Sequence, residues 1–227
     1  MALTDKLIVI ADAIRNKTGG TEELTLEQMA EAIAAIEVGG GSASNEQYIR
    51  LIERDANNPP TELPEGLTNI GDYAFYEYTD LALVSLPTSI TSIGNNAFSG
   101  CFKLVLTSLP PGLTSISDGA FKDCVQLALT SLPTGITSIG SNAFYNCLSI
   151  TLTSLPPNIT TISSNAFGYC TNLTEITFEG MPDSIDTTAF KGCVEILTLN
   201  VPWAEGEVAN APWGAKNATI NYNYTGG

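Results

Sequence analysis

Residues 132–154 read LPTGITSIGSNAFYNCLSITLTS, and the same arrangement recurs along most of the chain at intervals of 23 residues. The clearest columns are an Ala-Phe pair and a cysteine. The phenylalanines are Phe75, Phe98, Phe121, Phe144, Phe167 and Phe190. The cysteines are Cys101, Cys124, Cys147, Cys170 and Cys193. A fixed period of this length predicts a solenoid, in which each coil buries its apolar side chains against its neighbours.

Each coil is expected to contribute one short parallel strand. In residues 150–154, apolar side chains alternate with threonines, and this period of two places the apolar side chains inside and the hydroxyls outside. The Leu-Pro pair at the next corner ends the strand, because proline has no N–H for a ladder. The sequence therefore predicts a mainly β, right-handed solenoid of six coils.

Residues 63–202 resemble the BspA-like leucine-rich repeats, whose coils carry an Ile-x-x-Ile, Ala-Phe-x-x-Cys-x-x-Leu signature. Two coils depart from this pattern. The first has Tyr78 in the cysteine column. In the last, Met181-Pro182 follows the previous Leu-Pro pair by 26 residues rather than 23. We therefore expect an insertion of about three residues there, compensated further along that coil, and a local bulge.

The regions on either side of the repeats divide the chain further. Two amphipathic patterns with capping residues predict a small α-helical attachment or assembly module. A Gly/Ser run after it predicts a flexible linker, and a short capping helix is expected to open the solenoid. The predicted domains are the helical module at 1–38, the linker at 39–44, the solenoid with its capping helix at 45–202 and a C-terminal cap at 203–227.

Both ends of the chain resemble phage tail and virion proteins of anaerobic gut bacteria. The resemblance rests on LTDKLIVIADAIRNKTGG at residues 3–20 and on residues 201–225. It implies that the helical module attaches the protein or assembles it with further copies, while the coils present a surface. Trp203 and Trp213, near the last coil, are expected to form a buried hydrophobic lid rather than a platform for a sugar.

Charge and hydropathy narrow the partners and the location. The formal net charge of −15 argues against nucleic acid, because a phosphate backbone requires a basic stripe. Without a run of 18 apolar residues, membrane insertion is not expected. The opening apolar run of five residues is broken by Asp12, so no signal peptide is expected. The predicted location is a virion or the extracellular space without a signal peptide, with the bacterial cell surface as the alternative.

Catalysis is not expected. The sequence contains no histidine, which is the usual general base and the commonest metal ligand. No phosphate-binding glycine loop, nucleophile elbow or calcium-loop pattern is found, so no cofactor and no metal are expected. Coils about 4.8 Å apart would bring cysteines within disulfide range, but parallel side chains in one column give the wrong dihedral angle. We therefore expect buried, reduced thiols.

The candidate binding residues lie in outward columns of the coils. One set is the pair that follows each cysteine, and the other is the last threonine of each predicted strand. Thr also suits an exposed strand for purely structural reasons. The candidates are Phe102, Lys103, Thr107, Val125, Gln126, Thr130, Leu148, Ser149, Thr153, Thr171 and Asn172.

Three functional hypotheses follow from the sequence. The first is a non-catalytic phage tail or virion-associated protein that binds a host-surface protein or glycan through the solenoid. The second is a bacterial cell-surface adhesin of the same repeat family. The third is a structural assembly subunit whose coils bind no partner.

Overall fold

The computed structural model describes residues 59–63, 66–193 and 197–226. These residues belong to the compact unit Asp55–Gly227. The predicted helical module at 1–38, the linker at 39–44 and the helix expected to cap the first coil lie outside the described residues.

The described chain winds through ten short strands of two to four residues each. The first six are β1 (Asn69–Ile70), β2 (Ser92–Ile93), β3 (Ser115–Ile116), β4 (Ser138–Ile139), β5 (Ser154–Leu155) and β6 (Thr161–Ile162). The last four are β7 (Glu175–Phe178), β8 (Ser184–Ile185), β9 (Thr198–Asn200) and β10 (Thr219–Asn221).

The strands form parallel sheets that run along the stack of coils. One row consists of the pair β1-β2 and the sheet β3-β4-β6-β8, and the other is the sheet β5-β7-β9-β10. Between β4 and β6, Ile139 pairs with Ile162, its equivalent 23 residues later. Where the first row is interrupted, between β2 and β3, the Ser117 hydroxyl donates to the Ile93 carbonyl at 2.6 Å. The predicted mainly β parallel solenoid is thus confirmed.

The position of the main strand differs from the one expected at residues 150–154. Most coils form their strand at the Ser-Ile or Thr-Ile dipeptide, and β5 begins only at Ser154. In the predicted segment, Ile150, Leu152 and Leu155 face the interior. Two consecutive residues between Leu152 and Leu155 therefore lie outside, which breaks the period of two that a regular strand requires. There, the Thr151 N–H donates to the Leu129 carbonyl at 3.0 Å, and the Thr153 carbonyl accepts from the Thr177 N–H of the next coil at 2.9 Å.

The expected insertion near Met181-Pro182 is wrong. Leu155 pairs with Phe178, and Ile162 pairs with Ile185, so the coil keeps the 23-residue register on both sides. Phe178 takes the place of the column leucine, and Glu179 then occupies the usual proline position. The sequence pattern misled because a second proline, Pro182, falls in the column of the buried Ile159 and is itself buried. The coil therefore needs no bulge.

Two columns of the interior, the phenylalanines and the cysteines, stack in register. The six column phenylalanines are fully buried, with successive ring centroids 5.2–5.6 Å apart and ring planes within 14° of parallel. Each cysteine Sγ donates to the carbonyl of a phenylalanine of the preceding coil at 3.0–3.1 Å, as Cys147 does to Phe121. All five thiols are free and buried. Each buried phenylalanine stabilises the stack by about 2–3 kcal/mol.

A seventh turn follows the six repeats and closes the stack. The repeat pattern of the sequence did not identify it as a turn of the solenoid. Trp213 lies 23 residues after Phe190 and is fully buried, and its carbonyl accepts a 2.9 Å bond from the Phe190 N–H. The Trp203 ring packs 5.2 Å from Phe178 and 6.3 Å from Trp213. The Trp213 indole N–H donates to the Ala209 carbonyl at 2.7 Å. Both tryptophans are buried, so neither offers a platform to a sugar.

Candidate interaction surface

The structure places all the predicted binding residues at the surface. Val125 and Ser149 are half-buried, and the other nine candidates are exposed. Because the coils stack in register, the pairs that follow the cysteines form two adjacent columns, which we call the post-cysteine columns. The members of these columns are Phe102, Lys103, Val125, Gln126, Leu148, Ser149, Thr171 and Asn172. Thr107, Thr130 and Thr153 form a separate column, beyond a stretch that contains the buried leucines.

Few bonds tie the post-cysteine columns to the scaffold. The Ser149 hydroxyl donates to the Val125 carbonyl at 2.8 Å. Lys103 Nζ lies 2.7 Å from Asp80 Oδ1, one coil earlier, and both side chains are more than half exposed. A surface ion pair of this kind contributes little stability, so Lys103 remains accessible for another contact. Phe102 and Leu148 are 44% and 37% exposed, which makes them the exposed apolar side chains of these columns, whereas Val125 is half-buried.

The turns before each cysteine have a regular backbone geometry. Two positions adopt positive φ in this turn of each of the first five coils, as Asn142 (55°) and Asn146 (58°) do in the fourth, and one, Gly192, does so in the sixth. Asn, Asp and Gly fill most of these positions, because these residues adopt the left-handed region at the lowest cost. Alternate N–H groups of most turns, such as those of Asn142 and Phe144, then donate to backbone carbonyls of the next coil at 2.7–2.9 Å. The turns hold the solvent-facing side chains between these positions at fixed places.

Four tyrosines lie in these turns, three of them exposed and Tyr145 half-buried, and sequence reasoning did not identify them as candidates. Tyr73 and Tyr76 in the first coil pack edge-to-face at 5.6 Å. Tyr145 and Tyr169 pack similarly at 5.3 Å across two coils, with Lys122 Nζ 5.9 Å from the Tyr145 ring centroid. The signal was available in the sequence, because each turn lies immediately before a cysteine and its outward positions follow from the period. Tyrosine is enriched at interfaces because its ring is apolar and its tip polar.

Polar side chains adjoin the second tyrosine pair. The Asn146 amide donates to Asp123 Oδ1 at 2.9 Å, and both residues occupy the turn position that Tyr169 occupies in the next coil. In the first coil, a hydrogen bond with Glu77 raises the pKa of the Tyr76 phenol above its ordinary value. The two tyrosine pairs therefore differ in their charged neighbours: Lys122 lies over the Tyr145 ring of one, whereas Glu77 is bonded to the Tyr76 phenol of the other.

The thiols are not available for surface chemistry. Burial raises the pKa of Cys101 and Cys193 to about 12 and holds the pKa of the other three well above the ordinary value of a thiol. A thiol must ionise to act as a nucleophile or metal ligand, so these groups are poor at both. Across the described ranges, no group of three or more acidic or cysteine side chains is arranged to hold a metal ion.

Within the same ranges, no helix has both the length and the hydrophobicity needed to cross a bilayer.

The candidate surface is a set of outward columns on a stack of coils. Aromatic side chains such as these are enriched where proteins contact a partner.

The stacked parallel coils and their leucine, phenylalanine and cysteine columns define a leucine-rich-repeat solenoid. The chain belongs to the BspA type leucine-rich repeat family, which residues 56–116 and 101–209 match in 6 copies. Proteins of this bacterial repeat type are often involved in protein interaction, and leucine-rich-repeat solenoids are generally non-catalytic scaffolds that bind proteins or glycans.

Solved structures of bacterial leucine-rich-repeat proteins are similar to this chain. A leucine-rich repeat protein from Bacteroides ovatus is 25% identical, with a TM-score of 0.52 over 63% of this chain and 40% of that one. The T. pallidum leucine-rich repeat protein is 31% identical, with a TM-score of 0.49 over 62% of this chain and 70% of that one. A leucine-rich cell surface protein from Faecalibacterium prausnitzii is 27% identical, with a TM-score of 0.44 over 73% of this chain and 53% of that one.

The chain thus spans 40% of the Bacteroides ovatus protein and 53% of the Faecalibacterium prausnitzii protein. No curated protein sequence matches it.

Proposed function

We propose that this protein is a non-catalytic binding module that attaches to a host-surface protein or glycan through the post-cysteine columns. The observation that carries this proposal is the exposure of Phe102 and Leu148 in one column, with the half-buried Val125 between them. Most other large apolar side chains of these coils pack in the interior, although Tyr169 is also exposed. An exposed apolar column flanked by polar residues has the composition of an interface core and its rim.

The charge distribution supports contact with a large, uncharged or mixed surface. Between residues 81 and 174, the charged side chains are Lys103, Asp118, Lys122 and Asp123, which cancel one another. The excess negative charge of the chain therefore lies outside these central coils. Without a strong field of one sign, affinity depends on the apolar contacts and on hydrogen bonds from the neighbouring Gln126 and Asn172.

The biological context we propose is a phage tail or virion. Its support is the resemblance of residues 3–20 and 201–225 to such proteins, and the helical module would supply attachment or self-assembly. A bacterial cell-surface adhesin remains the rival context. Immunogold labelling of purified virions, together with the neighbouring genes, separates the two: label on virions and adjacent tail genes support the first, whereas label on the cell wall beside a sortase gene supports the second.

Binding of the full chain to intact candidate host cells, followed by flow cytometry, tests the function itself. The double variant Phe102→Ser, Leu148→Ser is expected to lower cell binding by at least about tenfold, because it removes both apolar anchors. Met181→Ser is the matched control, since Met181 is 57% exposed but lies outside the columns. Equal binding by the double variant and the control would contradict the proposal, and no binding by the parent chain would favour a structural assembly subunit.

A further inference from the structure

The tyrosine pair of the central coils rests on glycines. A Cβ atom at Gly168 would lie 2.9 Å from Cδ2 of Tyr145, and one at Gly192 would lie 2.7 Å from Cδ1 and Cε1 of Tyr169. Each ring therefore lies against the backbone of the following coil, in space that any side chain would fill. Tyr169 is nevertheless 41% exposed, so part of its ring is open to solvent. We call Tyr145 and Tyr169 the tyrosine platform.

The surroundings of the platform fix the kind of ligand that it suits. Lys122 and Asp123 contribute one charge of each sign, so the local charge is balanced. Asn146 donates one amide hydrogen to Asp123 at 2.9 Å and retains its own carbonyl oxygen as an acceptor. Asp123 retains its second carboxylate oxygen, another acceptor. Acceptors beside an aromatic ring match a ligand that has hydroxyl donors on its rim and apolar C–H groups on its face.

From this arrangement we propose that the tyrosine platform binds a neutral sugar ring of a host-surface glycan. The apolar face of the ring stacks on Tyr169, and its hydroxyls donate to Asp123 and to the Asn146 carbonyl oxygen. This inference rests on the proposed binding function and names the partner class for one part of the surface. A nucleobase also stacks on tyrosine, but its phosphate backbone requires a basic stripe that this acidic chain lacks.

The rival aromatic pair in the first coil is the natural comparison. Tyr73 and Tyr76 also pack edge-to-face and are also exposed. Their neighbours are acidic: Glu77 shares a hydrogen bond with the Tyr76 phenol, and Asp72 lies next to Tyr73 in sequence. The glycine of the next coil at that turn, Gly100, faces Glu77 rather than a tyrosine ring. This pair therefore serves as the matched control.

Affinity electrophoresis of the full chain in gels that contain α-mannan, β-1,3-glucan or galactan tests the inference, with heparin as the anionic probe. We expect at least one neutral polysaccharide to retard the protein and heparin to leave it unretarded. Tyr169→Ala is expected to weaken the interaction about five- to tenfold, through loss of the stacking surface, while Tyr169→Phe retains it. Gly168→Ala displaces the Tyr145 ring and weakens binding by a smaller factor. Tyr76→Ala is expected to have no effect.

The outcomes separate this inference from the proposed function. Lack of retardation in all three neutral gels, or equal weakening by Tyr169→Ala and Tyr76→Ala, would overturn the sugar assignment. If cell binding then survives periodate treatment of the cells but is lost after protease treatment, the partner is a protein and the broader function stands. If the parent chain binds no cells at all, the proposed function fails together with the sugar assignment. Thermal unfolding of each variant checks that the fold is intact.

Discussion

The interior columns and the outward columns of this solenoid follow opposite rules. Inside, one position carries phenylalanine in six successive coils, and another carries cysteine in five. Outside, the column that begins at Phe102 continues with Val125, Leu148 and Thr171. A stacked interior gives each side chain the same neighbours in every coil, so one size and shape is suitable throughout. The outer columns meet solvent and can therefore vary to fit a partner.

The first way to test this comparison is pH, which acts on the interior thiols. A thiol whose pKa is raised by burial stabilises the fold below its unfolded pKa, and this stabilisation is lost as pH rises toward the folded value. The window here runs from about pH 9, the ordinary thiol value, to about 12 for Cys101 and Cys193. Between pH 7 and pH 10, we expect the free energy of unfolding in urea to fall by about 1.4 kcal/mol per thiol, and by several kcal/mol in all.

Cys147→Ser supplies the control for this pH dependence. The serine hydroxyl keeps a donor for the Phe121 carbonyl but does not titrate in this range. The fall in unfolding free energy between pH 7 and pH 10 should therefore be smaller by about 1.4 kcal/mol. An unchanged fall would mean that the Cys147 thiol does not titrate on unfolding as described.

A charge placed inside or outside should give the next largest difference. Cys147→Asp buries an unpaired carboxylate in the stack and is expected to cost about 4–5 kcal/mol in urea unfolding at pH 7. Thr130→Asp places the same charge in an exposed column and should change stability by less than about 0.5 kcal/mol. Comparable losses at the two positions would contradict the assignment of inward and outward columns.

Two phenylalanines compare the columns by size alone. Phe144 is fully buried between Phe121 and Phe167, so Phe144→Ala leaves a cavity and should cost about 3–4 kcal/mol. Phe102→Ala removes a half-exposed ring and should cost well under about 1 kcal/mol while weakening partner binding. Urea unfolding measures both. A loss at Phe102 as large as that at Phe144 would show that Phe102 is a packing residue.

The smallest effect on stability is expected for glycine-to-alanine substitutions in the outer turns, where the space around each glycine differs. A Cβ atom at Gly140 would lie 2.5 Å from Asp118 Oδ1 and 2.7 Å from the Asp118 backbone nitrogen. Gly140→Ala should therefore cost about 1–3 kcal/mol in thermal or urea unfolding, because backbone atoms must shift. At Gly135 the contact with another coil would be the Leu113 carbonyl oxygen at 3.3 Å, so Gly135→Ala should cost less, about 0.5–1 kcal/mol. Similar costs would mean that the coils separate easily at this turn.

Most of the fold followed from the sequence because the period reports stacking directly. The phenylalanine column, which includes Phe144, repeats in six successive coils, and the cysteine column, which includes Cys147, repeats in five. The side chains of both columns are buried and aligned. The Ser-Ile strands were missed because only one residue of each pair is apolar, so a two-residue strand gives no alternation to detect. The closing turn was missed because Trp213 replaces the column phenylalanine and no Ala-Phe pair marks it. At Phe178, phenylalanine stands in the leucine column, so the sequence pattern did not show that the register is unchanged.

The surface was less predictable than the core. The exposure of the post-cysteine columns follows from the repeat period, whereas the placement of the Tyr145 and Tyr169 rings depends on a glycine in the next coil. That relation joins residues 23 apart and concerns space rather than hydrophobicity, so a pattern of apolar residues does not report it.

Thiol counting with and without denaturant tests the central claim most directly. The claim is that equivalent side chains of successive coils lie on top of one another inside the solenoid. At pH 8, a thiol-specific reagent should label none of the five cysteines of the folded full chain within minutes, and all five after unfolding without reductant. Rapid labelling of the folded protein, or fewer than five reactive thiols after unfolding, would contradict the stacked interior.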